Sequence, residues 1–203
     1  MGLTFIYDMD GNLYVNLTNR CCNACDFCIR NGSDGIGGHH LWLDREPSAQ
    51  EVIAQMEQTG LNSYKEVVFC GFGEPMERLD AIKTVAAYVK QQGKPVRINT
   101  NGLANLMYGR DVTPELAGLV DTVSISLNAS DAKVYDAVCH SKFGPEAFEG
   151  MLAFAEKAAA HVPNVLFSVV DTIGEEEIAR CRQIAERCGV KLRVREWIEP
   201  DAE

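Results

Sequence analysis

With 203 residues, 46% of them hydrophobic, the chain can bury one full core without splitting in two, so a single domain over residues 1–203 is expected. A formal net charge of -10 argues against a broad nucleic-acid footprint, and no apolar run approaches the length of a membrane span. The opening MGLTFIYDMDGN lacks a basic stretch followed by an apolar one, so no export is expected, and the eight cysteines read as metal or catalytic thiols of a reducing cytoplasm.

The segment TFIYDMDGNLYVNL reads as a hairpin turning at Asp10-Gly11. From there the chain alternates between short β-branched runs and amphipathic helical stretches. The strand-like runs are 13–18, 66–70, 95–99, 122–127, 164–170 and 190–195. Helix starts are expected at Ser48 with Glu51, a capping-box pair after Pro47, at Thr113 with Pro114, and at Ser130 or Asp131. Helix stops are expected at Gly60, Gly93 and Gly189. Six strands joined by right-handed crossovers predict an α/β fold, a partial (β/α)6 barrel of parallel strands preceded by a β-hairpin. In such sheets the site forms at the carboxyl ends of the strands.

After the first strand comes LTNRCCNACDFC, in which Cys21, Cys25 and Cys28 have the spacing CxxxCxxC. Three thiolates on one tight loop can hold a [4Fe-4S] cluster and leave one iron without a protein ligand, and no further cysteine follows until Cys70. A closed zinc site is the competing reading and needs a fourth ligand from Cys22, Cys70, His39 or His40. Adjacent side chains point in different directions, so Cys21 and Cys22 are not expected to share one cluster. Cys22-x2-Cys25-x2-Cys28 is the alternative register.

The spacing, with Thr18 three residues before the first cysteine and Phe27 just before the third, resembles the signature of the radical SAM enzymes. The resemblance covers nearly the whole chain. It implies a partial barrel, a cluster bound by Cys21, Cys25 and Cys28, and S-adenosylmethionine (SAM) bound at the open iron. It further implies reductive cleavage of SAM to a 5′-deoxyadenosyl radical that abstracts hydrogen from a substrate, with electrons from a low-potential donor of flavodoxin or ferredoxin type.

The remaining strand ends are read in that light. Gly71-Phe72-Gly73-Glu74-Pro75 is similar to the family's GGE segment, which implies that Gly71, Gly73 and Glu74 meet the methionine amino group; a plain Gly-Pro turn is the alternative. Asn99-Thr100-Asn101-Gly102 resembles the family's TNG segment, where Thr100 and Asn101 can bind carboxylate or ribose oxygens and also suit a turn. By the same resemblance Ser126 and Asn128 are candidates for SAM contacts, or else a polar barrel lining. Ser168, Asp171, Arg195 and Glu196 stand at later strand ends, as cavity lining or as solvated rims.

The Gly-rich run 31–38, leading into His39-His40-Leu41-Trp42, suggests a flap over the barrel mouth or an ordinary surface loop. Cys70, Cys139, Cys181 and Cys188 lack a CxxC spacing and are expected in the core, so no auxiliary cluster is anticipated. His140 follows Cys139, but sequence neighbours need not meet, and His161 is expected at the surface. The strings CDFCIRNG, LWLDREPS and CGFGEP most resemble a compact subgroup associated with TatD-type hydrolases. A glycyl radical enzyme activase is the alternative, supported by compact size and CIRNGSD, although Asn99 and Asn128 depart from the Asp and Lys of that type. A non-catalytic iron-sulfur carrier is the third reading, at odds with the missing fourth cysteine.

Overall fold

A computed structural model describes residues 4–197. The ends of the expected 1–203 domain therefore lie outside the described residues. The chain opens with a hairpin of β1 (Ile6–Met9) and β2 (Asn12–Val15), in which Met9 pairs with Asn12 across a two-residue turn. Both turn residues have positive φ, 54° at Asp10 and 78° at Gly11, the mirror-image turn whose twist matches the strands it joins. A smaller hairpin follows, β3 (Gly35–Ile36) and β4 (His39–His40). Then come α1 (Ala49–Thr59), β5 (Val67–Phe69), α2 (Leu79–Gln91), β6 (Val96–Thr100), α3 (Ala104–Tyr108) and β7 (Thr122–Ser126). The chain closes with α4 (Ala132–Cys139), α5 (Glu146–Ala158), β8 (Asn164–Val170), α6 (Glu175–Arg187) and β9 (Lys191–Arg195).

One sheet runs in the order β1-β2-β5-β6-β7-β8-β9. Only the β1–β2 pair is antiparallel; every later pairing is parallel. β1 and β9 stand at the two edges. Every expected strand is present, with ends that differ by a residue or so except at β2, which stops at Val15 because Asn16 to Thr18 already belong to the loop that follows.

The sheet has two chemically different faces, and the two-residue alternation of each strand sorts them. Val67, Phe69, Val96, Ile98, Val123, Ile125, Val165 and Phe167 meet Val52, Met56, Ile82, Val85, Met151 and Phe154 of the helices in the main core. Each such side chain stabilises the fold by about 1.5–3 kcal/mol relative to exposure. The opposite face carries Tyr7, Tyr14 and Val68 at one end. Beyond them it turns polar, with Arg97 registered beside Val68, Asn99 beside Ser124, Ser126 beside Ser168, and Ser168 beside Arg193. Arg195 on β9 and Cys70 just past β5 interact electrostatically although their strands are four places apart, which requires the sheet to curl with its polar face inward.

Local signals match most of the expected caps. Ser48 and Glu51 form a reciprocal capping box, and the Asp131 carboxylate accepts from the Lys133 and Val134 amides. Gly60, Gly93 and Gly189 have positive φ at helix ends. The start expected at Thr113 is corrected: residues Thr113–Leu116 form only a 3-10 turn, and Thr113 does not cap it. Its hydroxyl instead donates to Asp111, at 2.7 Å, and Asp111 also accepts the Thr113 amide. The Gly-rich segment is the β3–β4 hairpin, turning at Gly37-Gly38 with φ of 58° and 78°. Ile36 and Leu41 pack it against the apolar end of the inner face. No helix among the described residues is long and apolar enough to cross a membrane.

Ser48→Ala removes one half of the capping box while leaving α1 otherwise intact. A loss of about 1 kcal/mol in urea unfolding is expected, with an unchanged m-value.

Candidate functional site

The loop between β2 and α1 begins with side chains that fasten it to the segment 41–47. Asn16 donates to the Leu41 carbonyl at 2.7 Å, and Asn19 exchanges two bonds with the Leu43 backbone. Thr18 donates to Glu46 at 2.6 Å and accepts the Arg20 amide at 2.9 Å. Glu46 also binds Arg20 and Arg78, so one carboxylate gathers three donors around the approach to the cysteines. LWLDREPS is thus the strap that shapes the loop. Further on, Arg30 donates to the Asn19 and Asn23 carbonyls, and Asn31 to those of Cys25 and Asp26.

Within this frame Cys21, Cys25 and Cys28 are each partly exposed, and Cys22 is buried in the main core. A bend at Cys22 turns its thiol onto that of Cys21, so these neighbours touch, contrary to the expectation that they diverge. The Cys22 thiol, the Asn23 amide at 3.4 Å, the Arg30 charge and the Asn101 side chain draw Cys21 down to about 6 against the opposing effect of burial. Cys21 is therefore ready to act as a thiolate near neutral pH. Cys25 is turned toward Cys139, and the Cys28 amide donates to the Cys25 carbonyl at 3.1 Å.

The strand-end residues assemble around Glu74, which is 3% exposed. One carboxylate oxygen accepts from the Thr100 hydroxyl at 2.7 Å and the Met76 amide at 3.0 Å, and the other from the Asn101 amide at 2.7 Å. Burial, with the charge of Cys21 adding to it, pushes Glu74 up to about 8. Asn101 continues the chain of contacts, its side-chain amide donating to Cys22 at 3.1 Å and reaching Cys21 at 3.8 Å. Thr100 and Asn101 also close their own turn, accepting the Gly102 and Leu103 amides. Gly71 and Gly73 are needed for packing: a Cβ at Gly71 would overlap the Asn16 amide, and one at Gly73 the Thr18 and Arg20 carbonyls.

Ser126 and Asn128 lie at the carboxyl end of β7, the strand next to β6, and make no bond to the Glu74 cluster among the described residues. Ser126 lies beside Ser168 on the inner face, partly exposed. Asn128 sits in a left-handed conformation, φ 63°, and its amide donates to the Cys139 sulfur at 3.5 Å. Asp171 caps the backbone amide of Trp197, and Ser168 donates to the Ile125 carbonyl.

No local signal in the sequence brings α4 against the cysteine loop. The Ala24 amide donates to the Cys139 carbonyl and the Asp26 amide to that of Val138, each at 3.0 Å, while the Lys142 amide donates to Cys22. His140 and Asp26 pair at 2.8 Å, and Asn23 donates to the Tyr135 hydroxyl at 3.2 Å. Cys139 and His140 thus face different partners. Cys181 and Cys188 are buried in the main core, Cys70 lies on the polar inner face, and His161 is half-buried just past α5.

Among the described residues no group of three or more His, Cys, Asp or Glu side chains is arranged as a metal site. Of the fourth ligands the zinc reading offered, Cys22 touches Cys21, whereas His39 packs on the Tyr7 ring and Cys70 lies across the sheet's inner face. The donor set on the loop nevertheless suits a three-thiolate group. Three thiols share one braced loop, one of them already near its thiolate form, with Asn101 and the Asn23 amide placed to donate to sulfur.

A family model described as the Radical SAM superfamily matches residues 15–186. A relative from Methanopyrus kandleri described as a probable GTP 3',8-cyclase is 31% identical over 133 residues, covering 65% of this chain and 39% of its own length. The chain thus spans about two fifths of that relative. Among solved structures, a radical SAM methyltransferase from Sphaerobacter thermophilus aligns with TM-score 0.62 and 16% identity over 97% of this chain and 70% of the other. Streptococcus suis SuiB bound to S-adenosylmethionine aligns with TM-score 0.63 and 17% identity over 94% and 39%.

Because a methyl group at position 73 meets fixed backbone carbonyls, Gly73→Ala is expected to lower stability by about 1–3 kcal/mol, as overpacking does. Chemical denaturation checks the magnitude. Increased proteolytic cleavage within residues 16–28 would show that the strain falls on the cysteine loop.

Proposed function

The chain belongs to the radical SAM superfamily, and from that premise we propose that it is an enzyme in which Cys21, Cys25 and Cys28 hold a [4Fe-4S] cluster beside a SAM site formed by Gly71, Gly73, Glu74, Thr100, Asn101, Ser126 and Asn128. The observation that carries this reading is the continuous path of hydrogen bonds from Glu74 through Asn101 to Cys21 and Cys22. It joins the candidate cofactor residues to the cysteine loop at the carboxyl ends of β5 and β6. When bound, the cluster supplies the electron that splits the SAM sulfonium and yields a 5′-deoxyadenosyl radical, which takes a hydrogen atom from the substrate.

The chain's own residues bind, orient and shield. Glu74, whose carboxyl burial pushes toward its neutral form, is set to ionise when the methionine ammonium brings the opposite charge, and the contact then becomes charge-assisted. Gly71 and Gly73 let the β5 end approach closely, and Thr100 and Asn101 present an oxygen and an amide at the β6 end. Cys22 stays in the core as a neighbour of Cys21. The polar inner face, with Ser168 and Arg195, lines the space for the substrate and keeps its reactive carbon apart from bulk water. The electron donor is a flavodoxin or ferredoxin type of protein, and the setting is the reducing cytoplasm that free thiols require. Kinship with the TatD-associated subgroup has its support in CDFCIRNG, LWLDREPS and CGFGEP.

Anaerobic reconstitution tests the reading. The expected result is about four irons per chain, a cubane's complement, and 5′-deoxyadenosine on reduction with SAM present. Cys21→Ala, Cys25→Ala and Cys28→Ala should each lose the cluster or its SAM chemistry, while Cys22→Ala keeps it. Loss from Cys22→Ala with retention in Cys21→Ala would establish the other register.

Glu74→Gln preserves shape and removes charge, so SAM affinity should fall about tenfold or more, the loss of a contact worth about 1.5–3 kcal/mol. An anaerobic SAM titration at unchanged iron content measures it, and equal affinity would remove Glu74 from the site.

A further inference from the structure

We propose that the inner face of β9 anchors an anionic substrate, whose carboxylate or phosphate oxygens are held by Arg193 and Arg195. The proposal rests on the reading that the substrate meets the cofactors inside the barrel, and it names the class of molecule that enters. Charge on this face is sorted against the composition of the chain. The protein carries a formal net charge of -10, yet strands β6 to β9 put Arg97, Lys191, Arg193 and Arg195 on the polar face and no carboxylate. Arg97 is already neutralised, since its guanidinium meets Glu66, just before β5, at 2.9 Å. Arg20, Arg78 and Arg180 likewise find carboxylates, whereas Arg193 and Arg195 have none among the described residues.

Their place in the sheet suits an anchor. Arg193 lies beside Ser168 and Arg195 beside Val170, so both stand toward the carboxyl ends of the strands, the end that also carries Glu74 and the cysteine loop. Both side chains are exposed and open to a ligand. Two residues of strand advance about 6.6 Å, a spacing at which two guanidinium forks can close on one oxyanion. The same spacing makes two unneutralised cations repel, and a bound anion relieves that repulsion. From β6 to β9 there are three strand spacings, about 14 Å around the curled sheet, which leaves room for the body of a small molecule between its anion and the β6 end. Toward the amino ends of the same face, Arg97 Nε and Asn99 Oδ1 are buried without protein partners, a donor and an acceptor for a polar molecule in the interior.

The test titrates the full chain, anaerobically reconstituted and with SAM present, by calorimetry at low ionic strength with inorganic phosphate, with glutarate and with neutral glutaramide. At least one anion should bind, and glutaramide should not. Tighter binding of phosphate marks a phosphorylated substrate; tighter binding of glutarate marks a carboxylic acid. Arg193→Gln and Arg195→Gln should each weaken the preferred anion about tenfold or more, as loss of a charged hydrogen bond does, while Arg182→Gln, exposed on α6, leaves it unchanged. An equal loss in all three variants overturns the proposal by reducing the effect to diffuse charge. If a glutamine variant does not fold, Arg193→Lys and Arg195→Lys replace it: they keep the charge and lose the fork, and wild-type affinity in both overturns the paired grip. Iron content and SAM affinity report on the cofactor reading by themselves. Their absence from wild type refutes that reading, whereas their presence without binding of either anion refutes this one.

Discussion

The carboxylate of Glu74 is the point from which the strand-end architecture is organised. It is buried, and it accepts one hydroxyl and two backbone amides, from the turn after β5 and from the end of β6. A buried carboxylate left without donors would cost several kcal/mol, so these ends are obliged to stay together. The same constraint orients Asn101, whose side chain then reaches the cysteine pair. Gly73 brings the turn close enough for the Glu74 amide to bond the Arg20 carbonyl, at 2.8 Å, so the strand ends and the loop share one backbone contact as well.

A second support comes from the side of the loop that faces α4. Helices end in carbonyls with no partner of their own, and here two of them, at Val138 and Cys139, accept amides of the cysteine loop. The helix end and the loop thus satisfy each other. His140, in a left-handed conformation with φ 44°, stops the helix at that point and turns its ring to Asp26. The cysteine loop is therefore braced by the strap on one side and by a helix terminus on the other, and its thiols are presented by a framework rather than by a free coil.

The order of elements was legible because each rested on a local cause. The Asp10-Gly11 turn, the Ser48–Glu51 box and the alternation of β7 all stem from residues a few positions apart. The β3–β4 hairpin was legible too, in hindsight, since Gly37-Gly38 is a two-residue turn pair flanked by bulkier residues. What remained hidden depends on distant contacts. Cys139 looked like any buried cysteine, and its position against Cys25 follows only from how α4 packs. Gly71 and Gly73 were read for their approach to a cofactor, whereas their nearest constraint is Asn16, Thr18 and Arg20 of the same chain. Thr113 resembled a cap, yet Asp111, two residues earlier, took both its donors.

The last strand of the sheet carries a further consequence. Among the described residues β9 lies at an edge, and its sequence KLRVR places Lys191, Arg193 and Arg195 on one face and Leu192 and Val194 on the other. An open parallel edge is a template on which another extended chain can grow. Three like charges in a row repel their own image, so two molecules meeting edge to edge would each bring the same cations into contact. Among the described residues, the edge strand therefore carries charges that oppose its pairing with a second copy of itself.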